Sequence, residues 1–232
     1  MVLLAGCVVW ILRRTYMRAS LKIIVVTKET IMTDLAVVAQ GLQEHLKKEI
    51  SFSVCDKETS DIMKAVAFGM DIGSKFTSGI PTGSSFMTNY ATTLGPVVFL
   101  PQSIRDNPLS LCEVITHEAQ HVLQFQSTGL EFAWFYLTDS AARAQFEADA
   151  YASGIAVRCW LTGVVPQTLV ASVVASLVLG YHLRPEDTTY AEAAIKSHMA
   201  SLASGLVMTK SARIALAYLN HTYPELKGSV TA

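Results

Sequence analysis

The sequence predicts an α+β domain: a small mixed sheet in its N-terminal part, and a helical C-terminal half. Three observations predict it. Short runs rich in β-branched residues are confined to the first hundred positions. Longer stretches with apolar residues at helical spacing dominate the rest. A chain of 232 residues suits one domain with an appendage. We divide it into an apolar N-terminal segment, residues 1–19, and a single domain over 20–232.

"LKIIVVTK" (Leu21 to Lys28) reads as a buried strand. Leu35, Val38, Ala39, Leu42 and Leu46 then form one helical stripe, with Thr33 or Asp34 as its cap. Ile50 to Asp56 alternates and reads as a second strand, and Ser60 to Met70 as a short helix. Residues 71 to 86 are rich in Gly, Ser and Thr and read as a loop. Two short extended segments flank Leu94-Gly95-Pro96. Pro96 cannot donate to a ladder, so the Val97 to Leu100 strand begins there or lies at an edge. Asn107-Pro108 is a helix start, an Asn cap before Pro at the first helical position, for a helix running to about Gln126. Another helix starts near Asp139-Ser140, after an aromatic stretch at Glu131 to Leu137. Val164 to Leu183 is uncharged until its end and reads as a buried core helix, with a membrane helix as the rival reading. Helices at Tyr190 to Leu206 and Ser211 to Leu219 complete the chain.

Composition narrows the partners. The formal charge of −1 carries no basic surplus for nucleic acid. Hydrophobic residues make up 51%, charged residues 16%, and the mean hydropathy is +0.36, so membrane association through residues 1–12 or 164–183 must be considered. The apolar run "MVLLAGCVVWIL" is shorter than a span of about 20 residues. Its basic residues follow it, the reverse of a cleavable signal peptide. Cys7, Cys55, Cys112 and Cys159 share no CxxC spacing, which argues against a cysteine zinc site and a disulfide scaffold. An intracellular or membrane-associated protein is expected rather than a disulfide-rich secreted one.

The chemistry lies in "ITHEAQHVLQF". His117 and His121 are four apart, so a helix projects both imidazoles from one face, where they can reach one cation. Glu118 is rotated to the side of that face, placed to touch a metal-bound water as general base. Leu111, Val114, Ile115, Val122 and Phe125 give this helix an apolar face to bury. A third ligand should come from "AQFEADAYASG". Glu147 lies 26 residues beyond His121, room for the chain to turn and return. Of Glu147 and Asp149, one would bind the metal and the other would orient a ligand histidine.

"HEAQHVLQF" with the downstream "FEADAYASG" resembles the gluzincin metallopeptidases of the zincin superfamily, especially small bacterial and phage members. "TTLGPVVFLP" is similar to their edge strand before the active helix, so the likeness covers roughly Thr88 to Gly154. Many gluzincins place the ligand Glu four residues before a supporting Asp. Here position 145 is Gln, and Glu147 stands two before Asp149, as in members with the closer spacing. The resemblance implies a zincin-like fold and one zinc ion per chain on His117, His121 and Glu147. It implies Glu118 as base and Asp149 in support, with Glu147 and Asp149 open to exchange of roles. It implies hydrolysis of a peptide or protein substrate. An oxyanion stabiliser is expected among Tyr151, His182 and Tyr190, with Tyr181 and His198 as further candidates. The alternative is a catalytically silent structural or interaction protein on the same fold, part of a larger or membrane-attached assembly.

Overall fold

The computed structural model describes residues 35–73, 82–164, 167–181 and 183–230. The expected strand at Leu21 to Lys28, the cap at Thr33 or Asp34, the segment 1–19 and His182 lie outside these residues. Residues 38–232 form one contact unit.

Helix α1 (residues 35–50) buries Val38, Ala39, Leu42, Leu46 and Ile50 along one stripe. Ser51 then takes a positive φ of 62° and turns the chain, so the next strand starts later than alternation suggests. Strand β1 spans Ser53–Asp56. Helix α2 (Asp61–Gly73) and helix α3 (Gly83–Asn89) follow. The expected loop at 71–86 is therefore corrected: its first residues finish α2, and its last begin α3. Thr82 caps α3 by accepting from Ser85 N at 3.2 Å, and Phe86 anchors it in the core. Residues 74–81 lie outside the described chain.

Strands β2 (Thr92–Leu94) and β3 (Val97–Leu100) form a hairpin whose tight turn uses Gly95 at φ 59°. The sheet order is β1-β3-β2, with β1 parallel and β2 antiparallel to β3. The sequence has the Val97 to Leu100 strand begin at Pro96 or lie at an edge. It begins there, and among the described strands it takes the centre, with β1 and β2 on either side. Pro96 sits in the turn, and its carbonyl accepts from Ser53 N at 2.9 Å, so its missing N–H removes no ladder bond. Phe99 buries one face of the sheet against Met63, Ala67 and Phe86.

After helix α4 (Gln102–Arg105), Asn107 caps helix α5 (Pro108–Thr128) as its sequence demands, Oδ1 accepting from Ser110 N at 3.0 Å. Helix α6 (Leu130–Thr138) replaces the unassigned aromatic stretch, and Asp139 caps helix α7 (Ser140–Thr162) through Ala141 and Ala142 N–H groups. Helices α8 (Gln167–Tyr181), α9 (Pro185–Ala203) and α10 (Lys210–Thr222) pack behind. Val173 and Leu177 of α8 and Ala191, Ile195 and Met199 of α9 close on Ala144, Ala148, Ala152 and Ile155 of α7. Helix α8 is thus shorter than the apolar run that encodes it. It buries one stripe, while Val178 is 45% exposed. No helix among the described residues is long and apolar enough to cross a membrane. Cys55, Cys112 and Cys159 are free thiols. His45 stacks on Tyr218 with centroids 4.4 Å apart.

Helices α5 and α7 set everything that follows. They run antiparallel, since Arg158 Nη1 donates to Glu113 Oε1 at 2.7 Å at one end and Gln124 Nε2 to Phe146 O at 3.1 Å at the other. Between these ties lies Gly154, where a Cβ would stand 2.9 Å from Glu113 O and 3.7 Å from the His117 Cβ. Helix propensity alone favours Ala over Gly by about 1 kcal/mol. Forcing a methyl against a backbone carbonyl costs about 1–3 kcal/mol. Gly154→Ala should therefore lower the urea midpoint of unfolding, and a raised midpoint would show that the helices can part freely.

Candidate metal centre

Residues 113, 117, 121 and 124 lie on one face of α5, and 147, 151, 154 and 158 on the facing side of α7. The close approach at Gly154 brings Glu147 over the two histidines. His117 Nε2 and His121 Nε2 are 3.2 Å apart. Glu147 Oε2 is 3.7 Å from His117 Nε2, and Oε1 is 3.4 Å from His121 Nε2. All three residues are buried.

The arrangement fits a metal ion. Ligands about 2.0–2.1 Å from a tetrahedral ion stand roughly 3.4 Å from one another, and the imidazole separation and the nearest approach of each imidazole to a Glu147 oxygen bracket that value. Glu147 Oε2 is buried and has no hydrogen-bond partner, an acceptor that a cation would satisfy. His121 Nδ1 faces Gln124 Oε1 at 2.8 Å. The Gln124 amide is itself oriented by its bond to Phe146 O, so Nδ1 must carry a proton and Nε2 is the nitrogen turned to the cluster, where a cation would replace its proton. Tyr136 of α6 donates to Glu147 Oε1.

The electrostatics favour one positive charge in the cluster, which a proton on His121 or a bound cation would supply. Burial, then the neighbouring His121 charge, holds the His117 imidazole below its ordinary value. Burial would depress His121 too, but the Glu147 carboxylate outweighs it and lifts His121 to about 9. Burial pushes the Glu147 carboxyl up, yet the two imidazoles and the Tyr136 hydroxyl bring it below the usual range. A buried carboxylate facing two imidazoles thus demands a single positive charge. Burial and the Glu147 charge drive the Tyr136, Tyr151 and Tyr181 phenols upward, so they remain neutral donors.

Glu118 stands beside the cluster, Oε1 at 4.0 Å from His117 Nε2. Thr93 Oγ1, on the edge strand β2, donates to Glu118 Oε2 at 2.6 Å. Behind β2, Lys57 is fully buried and its Nζ donates to Phe86 O at 2.9 Å, Tyr90 O at 2.7 Å and Thr92 Oγ1 at 2.8 Å. Burial pushes its ammonium down to about 8 against the pull of Glu118 and Glu58. On the opposite wall, the Arg143 guanidinium donates to the carbonyls of Tyr136, Leu137 and Tyr181.

The structure therefore brings together His117, Glu118, His121 and Glu147, as the spacing suggests, and separates the other candidates. Asp149 is two residues beyond Glu147, about 200° around the helix, and pairs with His198 Nε2 at 3.1 Å instead of a ligand histidine. The side chain that orients His121 is Gln124. Tyr151 packs its ring edge on His117, centroids 4.6 Å apart, and hydrogen-bonds to Tyr181, which lines the cleft. Tyr190 is 52% exposed on α9, away from the cleft. Of the residues the sequence reading missed, Gln124 had a signal, its position three beyond His121. Thr93, Tyr136 and Lys57 had none, because their contacts join distant elements.

Two cavities open on the cluster, one of about 400 Å³ toward α2, α3 and α6, the other of about 190 Å³ toward α4 and α8. Comparison with protein families, with curated proteins and with solved structures finds no match for this chain.

Two outcomes are expected. Gln124→Leu should weaken metal affinity by about 10–100-fold, read by competition with a chromogenic chelator. The depressed Lys57 ammonium sets a pH dependence. Its charged form is disfavoured in the folded chain, so the folded state binds fewer protons between about pH 8 and the unfolded value near 10.5. Stability relative to Lys57→Met should hold constant below that window and rise in favour of the native chain through it, measured by chemical unfolding at stepped pH.

Proposed function

We propose that the chain is a zinc-dependent metallopeptidase with a zincin-like, gluzincin-type site. The observation that carries the reading is the convergence of Glu147 on His117 and His121, with a buried oxygen left without a partner. Two imidazoles and one carboxylate are the donor set of a catalytic zinc site, one ion per chain. Bound there, zinc would supply Lewis acidity, lowering the pKa of a coordinated water and polarising a carbonyl.

The chain's own residues do the rest. Glu118, aimed by Thr93, takes the proton from the attacking water and delivers it to the departing amine. A neutral phenol donates to the developing oxyanion, and Tyr181, hydrogen-bonded to Tyr151, is the best placed on the cleft wall. Strand β2, an edge of the sheet among the described residues, lines the cleft and offers an extended peptide a strand to pair with. A purely structural metal site would have no use for a buried carboxylate held beside its ligands, which favours this reading over a silent fold.

Glu118→Gln keeps the shape of the carboxylate and removes its basicity. It should retain zinc at wild-type stoichiometry and lose peptide hydrolysis by a factor of roughly 10² or more. Activity equal to wild type sinks the mechanism.

A further inference from the structure

We infer, on the basis of the peptidase reading, that the cleft selects the interior of an apolar polypeptide segment, with a large apolar side chain on the α2–α3–α6 side and a small one on the α4–α8 side. The two cavities share Tyr90, Ala91, His117, Glu118 and Tyr181, so they meet at the reacting centre. They extend oppositely along the α5–α7 pair, the larger toward His121 and Glu147 and the smaller toward Glu113 and Gly154. A chain can therefore pass through the site instead of ending at it.

The lining decides what passes. Met63, Met70, Phe86 and Phe132 form the larger side, and Ile104, Val114, Leu169 and Val173 the smaller. Their volumes, about 400 and 190 Å³, set the difference in side-chain size. Among the described lining residues there is no Lys or Arg to hold a free carboxyl terminus. The acids are Glu118 and Glu147 of the centre and Glu113, which Arg158 already holds, so a free amino terminus finds no partner either. The apolar character continues outward. Leu137 and Leu94 line the larger cavity and are 75% and 45% exposed. That rim suits an extended apolar segment and not the polar surface of a folded protein.

The test is a panel of end-blocked, internally quenched peptides of one length, cleaved by the zinc-loaded full chain. Phe, Leu or Met on one side of the scissile bond with Ala or Val on the other should give kcat/KM at least about tenfold above Asp or Lys at either position. Unblocking termini several residues away should leave the rate unchanged. Comparable rates for charged and apolar peptides, or cleavage confined to a terminal residue, overturn the inference while leaving the peptidase reading intact. If no peptide is cleaved, the peptidase reading fails. The inference is then decided by fluorescence anisotropy on zinc-loaded Glu118→Gln, where apolar peptides must bind at least about tenfold tighter than charged ones. Leu137→Lys, at an exposed rim position, should narrow the preference toward Asp-bearing peptides, and an unchanged preference overturns the role of the rim.

Discussion

The close approach of α5 and α7 at Gly154 is the constraint from which the centre follows. Three groups that would repel or starve one another in isolation are held within reach because two backbones meet where no side chain intervenes. The ion pair of Arg158 with Glu113 and the amide tie of Gln124 to Phe146 fix the ends, so the middle cannot slide. Register on α7 then decides chemistry: Glu147 and Gly154 are seven apart and share a face, while Asp149 is carried around to His198.

Around that pair the fold supplies layers with separate tasks. The small sheet presents Thr93 to Glu118 from a strand that is an edge among the described residues. Helix α6 supplies Tyr136 from above, and α8 brings Tyr181 to the junction of the two cavities. Glu147 and Glu118 are thus held by partners from other elements, and His121 by Gln124 of its own helix, which is in turn tied to α7.

Much of this was legible in the sequence, and for definite reasons. The α5 start at Asn107-Pro108 and the α7 start at Asp139 are local signals, and both stand as read. The pairing of His117 with His121 needs only helical spacing, whereas the preference for Glu147 over Asp149 rested on the family resemblance and not on the returning helix alone. The roles of Thr93, Tyr136 and Lys57 rest on contacts between elements far apart in sequence, where periodicity carries no information. Asp149 shows the opposite error, since adjacency in sequence suggested a shared task that a 3.6-residue turn forbids. The order of the sheet was likewise hidden, because two equally short strands do not announce which of them takes the middle.

Both walls of the cleft are secured by a cation that has no carboxylate in its grip. Lys57 holds two carbonyls and a hydroxyl on the side of β2, and Arg143 holds three carbonyls on the side of α6 and α8. Carbonyl and hydroxyl oxygens do not take up protons in the range where carboxylates and imidazoles do. Acid that reaches the imidazoles and carboxylates of the centre therefore leaves the clamps on either wall with their partners.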